Sequence, residues 1–320
     1  MANPGWSRSE SPFHAGERAI QARLNIQEQV EKQGRRMIRE YLPQQFRKFF
    51  SQLSYVIVGT VDAVGNPWAS ILMAEPGFLS TPNQYTLKVV AQPLSGDPLA
   101  TTLATGIDIG LLGIELHTRR RNRINGVVTK VNADGFEVRV RQSFGNCPQY
   151  IQARQSEFEE LDLAFAPAIH EISALSEVET AMITAADTFF ISTAYQAASA
   201  GEASGVDVSH RGGKPGFVRV DGNLTLTIPD FSGNLHFNTL GNLELNPKAG
   251  LLFIDFEMGN LLYLTGSAEV IWQGAEIDRY KGAERLIRFR IERGYRVENS
   301  LPLRWSEPEF SPFLNPTGSW

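Results

Sequence analysis

Two stretches of this chain, one starting at Tyr55 and one at Phe189, pass through the same succession of short β-rich runs and turns, and that recurrence constrains the fold more than any other feature. Tyr55-Val56-Ile57-Val58-Gly59-Thr60 is answered by Phe189-Phe190-Ile191-Ser192-Thr193, and Tyr85-Thr86-Leu87-Lys88-Val89 by Leu224-Thr225-Leu226-Thr227-Ile228. Asn66-Pro67-Trp68-Ala69-Ser70 finds a counterpart in Lys214-Pro215-Gly216-Phe217-Val218, and Ser95-Gly96-Asp97 in Ser232-Gly233-Asn234. Spacing ties the two together: 31 positions separate Ser95 from Gly126 and 34 separate Ser232 from Gly266, with Gly110-Leu111-Leu112-Gly113-Ile114 and Gly250-Leu251-Leu252-Phe253-Ile254 between them. The pattern reads as an internal duplication. Turn signals, not helices, separate the runs, so each unit is expected to be an antiparallel barrel or sandwich: mainly β with flanking helices.

The repeat organises the rest. Residues 15–53 set Ile20, Leu24, Ile26, Val30, Met37, Ile38 and Leu42 among Arg, Lys, Glu and Gln, a helical texture. The expected divisions are an N-terminal helical segment at 1–54, a first β unit at 55–155, a second at 176–282 and an irregular C-terminal arm at 283–320. An acidic stretch at 155–160 follows the first unit, and a helix around 176–186 opens the second. A length of 320 residues suits two domains, each large enough for its own core. Cys147 is the single cysteine, which excludes an internal disulfide and a cysteine-based zinc site. With no signal-like start in residues 1–12 and no 18-residue apolar run, a cytoplasmic protein away from membranes is expected. The net charge of −5 argues against nucleic acid as a partner, although Arg119, Arg120, Arg121 and Arg123 form one basic cluster.

The richest chemistry sits in a stretch expected to be a loop, at 207–216. Ser209-His210-Arg211-Gly212-Gly213-Lys214 combines a hydroxyl, an imidazole, a guanidinium, an ammonium and two glycines, a set suited to gripping an anion and equally compatible with a solvated turn. An aromatic strand, Pro215-Gly216-Phe217-Val218-Arg219-Val220, is expected to follow, and Ile228-Pro229-Asp230-Phe231-Ser232-Gly233-Asn234 closes a second turn. The five histidines are dispersed without metal-ligand spacing, so no metal site is expected. Cys147 reads as inert packing, Asp255, Glu257 and Glu269 as solvent-facing strand carboxylates, and no catalytic residue is assigned.

These residues also carry a resemblance. The run 207–220, then 227–234, then Thr239-Leu240-Gly241-Asn242-Leu243-Glu244-Leu245-Asn246-Pro247-Lys248-Ala249-Gly250-Leu251-Leu252-Phe253, resembles the FMN-binding split barrels of the pyridoxamine 5′-phosphate oxidase-like superfamily. Arg121-Asn122-Arg123-Ile124-Asn125-Gly126, the segment 144–152 and Phe13-His14-Ala15-Gly16-Glu17 are similar to a two-repeat branch of it. The resemblance implies tandem, Greek-key-like split β-barrels with FMN in a cleft between them. It places Ser209, Arg211, Phe217, Pro229 and Asn234 nearest the flavin and its phosphate, with His210, Gly213 and Arg123 beside them. One departure is that Ser232 is followed by Gly233 and Asn234 where those oxidases offer Arg or Lys, leaving His210 and Arg211 to supply the charge. The implied activity is an oxidoreductase passing hydride or electrons through FMN to a small-molecule acceptor, with a nicotinamide nucleotide as candidate donor and a homodimer as candidate assembly. A module that holds flavin, deazaflavin or haem without turnover is the alternative, and a ligand-free domain a further one.

Overall fold

The computed structural model describes residues 5–159 and 166–320; residues 1–4 of the N-terminal segment and Glu160 of the acidic stretch lie outside them. Helices α1 (Ala15–Arg23), α2 (Gln27–Met37) and α3 (Gln44–Ser51) lead into β1 (Tyr55–Val61), β2 (Pro67–Met73), β3 (Leu79–Asn83), β4 (Thr86–Val89), the short helix α4 (Leu99–Thr102), β5 (Asp108–Glu115), β6 (Arg120–Asn132) and β7 (Gly135–Gly145). The short strands β8 (Ser156–Phe158) and β9 (Ile169–Ile172) and helix α5 (Glu177–Ala185) connect to the second unit. It comprises β10 (Thr188–Tyr195), β11 (Gly205–Gly212), β12 (Arg219–Asp221), β13 (Thr225–Asp230), α6 (Asn238–Leu245), β14 (Lys248–Ile254), β15 (Leu261–Ile271), α7 (Ala275–Asp278) and β16 (Arg285–Val297), before a last strand β17 (Leu303–Trp305).

The two units share one topology. Strands run β2-β1-β5-β6-β7-β4-β3 in the first sheet and β11-β10-β14-β15-β16-β13-β12 in the second, the same permutation of chain order. Both long strands carry a bulge at the same place, between Asn125 and Gly126 in β6 and between Thr265 and Gly266 in β15. The bulge explains the glycines: a Cβ on Gly126 would lie 2.2 Å from the Arg139 carbonyl oxygen, and one on Gly266 would lie 2.0 Å from that of Arg290. Each sheet curls around its own apolar core. Val58, Leu72, Leu87, Leu111 and Val138 meet Phe46, Phe49 and Phe50 of α3 in the first; Phe189, Ile191, Phe217, Leu251, Phe253 and Phe289 fill the second. The result is a pair of tandem split barrels. Among the described residues no helix is long and apolar enough to cross a membrane.

A third cluster joins the halves, with Ile57, Trp68, Ile71 and Leu112 packed on Phe190, Val208, Leu252 and Tyr263. The contact is pseudo-two-fold. A Cβ on Gly110 of β5 would sit 2.6 Å from the Val206 oxygen, and one on its counterpart Gly250 of β14 would sit 2.3 Å from the oxygen of Pro67, the counterpart of Val206. A Cβ on Gly59 would meet the Oγ of Ser192, its own counterpart, at 2.7 Å. Equivalent patches thus face each other as in an isologous dimer, within one chain.

Three expectations are corrected. Residues 285–297, assigned to an irregular arm beginning at 283, form β16 between β15 and β13 inside the second sheet. Three of its basic residues are paired across to other elements: Arg288 with Glu276, Arg293 with Asp62 and Arg296 with Glu179. The stretch 207–216, expected as a loop, is mostly strand β11, which pairs along β10 with Ser209 opposite Ile191. β11 is therefore the counterpart of β2, and Lys214-Pro215-Gly216-Phe217-Val218 is a turn; the aromatic strand expected at 215–220 shrinks to β12.

Candidate functional site

A strand alternates its side chains between two faces. On β11, Val206, Val208 and His210 face the first barrel, while on the opposite face Asp207 and Ser209 meet α6 and the strand β6 of the other half and Arg211 meets Asp230 of β13. Arg123 of β6 donates to Asp207 Oδ1 at 2.8 Å, and Asn125 Nδ2 donates to the same oxygen at 2.8 Å. Asn242 Nδ2 of α6 donates to Asp207 Oδ2 at 3.0 Å. Arg123 also reaches the Ser209 hydroxyl, which lies 3.1 Å from Thr239 Oγ1. Buried Glu17 of α1 backs this network, taking Nδ2 of Asn238 and, at 2.8 Å, the backbone N–H of His14. Burial and the Asp207 charge hold Glu17 well above the usual carboxyl range.

Above this floor is a cleft enclosing about 130 Å³ and open on one side. Its first-half wall includes Arg121, Arg123, Asn146, Cys147 and Tyr150; its second-half wall includes Ser209, Arg211, Pro229, Asn234 and Thr239. Arg211 is paired with Asp230, whose other oxygen is 3.2 Å from Arg285. Arg121 has no such partner among the described residues. Its Nε donates to the Cys147 carbonyl at 2.8 Å and its NH1 lies 3.4 Å from His210 Nδ1, but among the described residues no carboxylate is within 4 Å. Burial and the charges of Arg123 and Arg211 bring its pKa down to about 10, which leaves it cationic at neutral pH. Burial, with Arg121, Arg211 and Arg154 around it, holds His210 well below its ordinary value and hence neutral. Because a guanidinium offers no acceptor, Nδ1 accepts and the His210 proton sits on Nε2, which has no partner.

The N-terminus of α6 opens onto the same cleft. Phe237 caps it in a left-handed conformation, φ 62°, with no side-chain cap, and Asn238, Thr239 and Leu240 line the wall. The first N–H groups of an uncapped helix favour an anion. Tyr150, Leu235 and Phe237, all on the cleft wall, are three of the six non-glycine residues with positive φ among those described. Bulky residues held there mark strain concentrated at one place. At the rim the rings of Tyr150 and Phe231 lie 5.1 Å apart.

The residues present fit the phosphate of a flavin nucleotide: unpartnered Arg123 Nε, Arg211 Nε, Asn146 Nδ2 and His210 Nε2 belong to this wall, beside two hydroxyls and a helix N-terminus. The enclosed volume is below the roughly 300 Å³ of a small complete ligand pocket, so it suits a head group, with a larger ligand extending to the open side.

Of the residues singled out in the sequence, Ser209, His210, Arg211, Phe217, Pro229, Asn234 and Arg123 line the cleft. Gly213 does not; it packs behind Phe217, where a Cβ would lie 2.2 Å from the ring. The Phe217 backbone is fully engaged, its N–H with the Lys214 carbonyl and its oxygen with Trp320 Nε1 at 2.7 Å. Asn234 Nδ2 joins the halves through Asn146 Oδ1 at 3.2 Å. Asp255 serves a local turn, accepting from the N–H groups of Glu257 and Met258. Thr239 and Tyr150 had not been singled out as ligand contacts, and Arg121 only as part of a basic cluster.

No family model and no curated protein matches the chain. Solved structures do. HupZ from Group A Streptococcus matches at 15% identity over 37% of this chain and 90% of its own, with a TM-score of 0.30. A Lactobacillus delbrueckii subsp. protein described as a candidate pyridoxamine 5′-phosphate oxidase matches at 12% over 38% and 94%, TM-score 0.31. A FAD-binding protein from Mesorhizobium loti matches at 13% over 40% and 97%, TM-score 0.27. At these values the split-barrel assignment rests on the strand order itself. Fold and site together define a tandem split-barrel protein with a cationic cleft between its halves.

Proposed function

We propose that the chain binds FMN in this cleft and acts as an oxidoreductase that passes hydride or electrons to a small-molecule acceptor. The observation that carries the reading is Arg121, a guanidinium without a counter-ion among the described residues, beside the N-terminus of α6 and the hydroxyls of Ser209 and Thr239. Desolvating a cation without a partner is costly, and a phosphate returns the missing charge and hydrogen bonds. The first N–H groups of α6, Ser209 and Thr239 would donate to its oxygens, and Arg121 with Arg123 would neutralise it. Tyr150 and Phe231 offer aromatic faces on the open side for a planar ring. FMN, when bound, supplies the two-electron chemistry. The chain holds it, and Arg121 favours negative charge developing nearby.

The test compares FMN with riboflavin, which lacks the phosphate, by absorbance titration. A hydrogen-bonded charge contact contributes about 1.5–3 kcal/mol, so Arg121→Ala is expected to weaken FMN binding roughly 10- to 100-fold and leave riboflavin unaffected. FMN bound equally tightly by the variant, or riboflavin bound as tightly as FMN, overturns the reading.

A further inference from the structure

We propose that each chain takes up one such ligand and not two, because the position related to the cleft by the pseudo-two-fold axis is filled by the chain's own carboxyl group, Asp97. The proposal rests on the reading of the cleft as an anion site. Strand registers and the shared bulge map Ser209 onto Ser70, Arg211 onto Leu72, Arg123 onto Tyr263 and Arg121 onto Leu261. The turn Ser232-Gly233-Asn234 maps onto Ser95-Gly96-Asp97, and α6 onto α4.

At the mapped position the donors have survived and converge on Asp97. Ser70 Oγ donates to Asp97 Oδ1 at 2.5 Å, and the Leu99 N–H at the start of α4 donates to the same oxygen at 2.7 Å. Tyr263, standing where Arg123 stands in the cleft, donates its hydroxyl from the other half to Oδ2 at 3.1 Å. The serine and helix start that face the open cleft on one side therefore already hold a carboxyl group on the other. Neither arginine has been kept, and among the described residues no cation lies within 4 Å of Asp97. Asp97 is 3% exposed, and Tyr263 packs with Tyr55, Val297, Leu301, Leu303 and Trp305, which close the space. A second anion would find no cation, no room and a carboxyl group in its place.

The experiment is calorimetric titration of the full chain with FMN, protein concentration being fixed by amino-acid analysis, repeated for Arg121→Ala, Asp97→Asn and Tyr263→Phe after thermal melting confirms each fold. One equivalent is expected, weakened by Arg121→Ala and unchanged by Tyr263→Phe or Asp97→Asn. Two equivalents would overturn the asymmetry while leaving the cleft reading intact; none would overturn both. One equivalent lost with Asp97→Asn or Tyr263→Phe but not with Arg121→Ala would place the ligand at the other end and overturn the proposal. Tyr263→Phe, the milder change, carries the control if Asp97→Asn fails to fold.

Discussion

The cleft and its mate across the pseudo-two-fold axis are built on equivalent strands in equivalent register, and they end with opposite electrostatics. In the cleft, Arg121 stands unpaired among the described residues, and Arg123, Arg211 and Arg285 share Asp207 and Asp230. In the mate a single carboxyl group has hydrogen bonds but no cation, and burial pushes its pKa up to about 6. The fold furnishes a serine and a helix start twice. The two copies differ at two strand positions, 121 and 123 against 261 and 263, and in whether the turn carries Asn234 or Asp97. Function here belongs to residues grafted on a repeated frame, not to the frame.

The sharpest way to test that contrast is to remove a cation that the mate lacks. Arg123→Ala leaves Asp207 buried with only Asn125 and Asn242, and breaking a buried pair from one side costs about 3–5 kcal/mol. Urea unfolding should show that loss, with partial recovery in Arg123→Lys; a cost below about 1 kcal/mol would mean the pair does not organise the cleft. The next effect is a pH dependence on the other side. A carboxyl group whose pKa is higher in the folded chain than the ordinary 3.8 holds its proton more tightly when folded, so its contribution favours folding below about pH 4 and is lost as pH rises through about 6. The interval from 3.8 to about 6, at 1.36 kcal/mol per pH unit, amounts to on the order of 3 kcal/mol. The difference in unfolding free energy between the native chain and Asp97→Asn should therefore change across pH 4 to 6.5 and be flat above. Taking the difference cancels Asp62 and Asp221, whose lowered pKa values act in the opposite direction. Parallel curves would show that Asp97 ionises normally and that the mate is not closed.

Much of the frame was legible in the sequence because glycine spacing records backbone geometry. Gly126 and Gly266 sit at bulges where a Cβ would strike the neighbouring strand, so the count back to Ser95 and Ser232 is similar although the side chains differ. β11 and β16 were misread for a common reason. Their polar residues suggested loop and arm, whereas Asp207 and Ser209 face a buried network and Arg288 and Arg296 of β16 find acids on neighbouring elements. The same blindness hid the decisive residue of the cleft. Arg121, Arg123 and Arg211 look alike in a sequence; what separates them is that Asp207 pairs with one and Asp230 with another, while Arg121 is left over. The partner of Arg123 lies 84 positions away, beyond any local pattern.

The smallest effect closes the comparison. Tyr263 occupies the strand position of Arg123, is buried and donates to Asp97, and burial beside that carboxyl group keeps its own pKa well above the ordinary value, so it remains a donor. Tyr263→Phe removes one hydrogen bond and leaves the ring packing in place, which should cost about 1–2 kcal/mol at pH 7, where Asp97 is ionised, and less at pH 4, where it is not. The same change should raise the Asp97 pKa further, since the lost hydroxyl had favoured the charged form. Asp97 carboxyl NMR shifts across a pH series would follow both. Were Tyr263→Phe as costly as Arg123→Ala, the two ends would be energetically alike, and the difference between an open cation-lined cleft and a site closed by its own acid would not be what divides them.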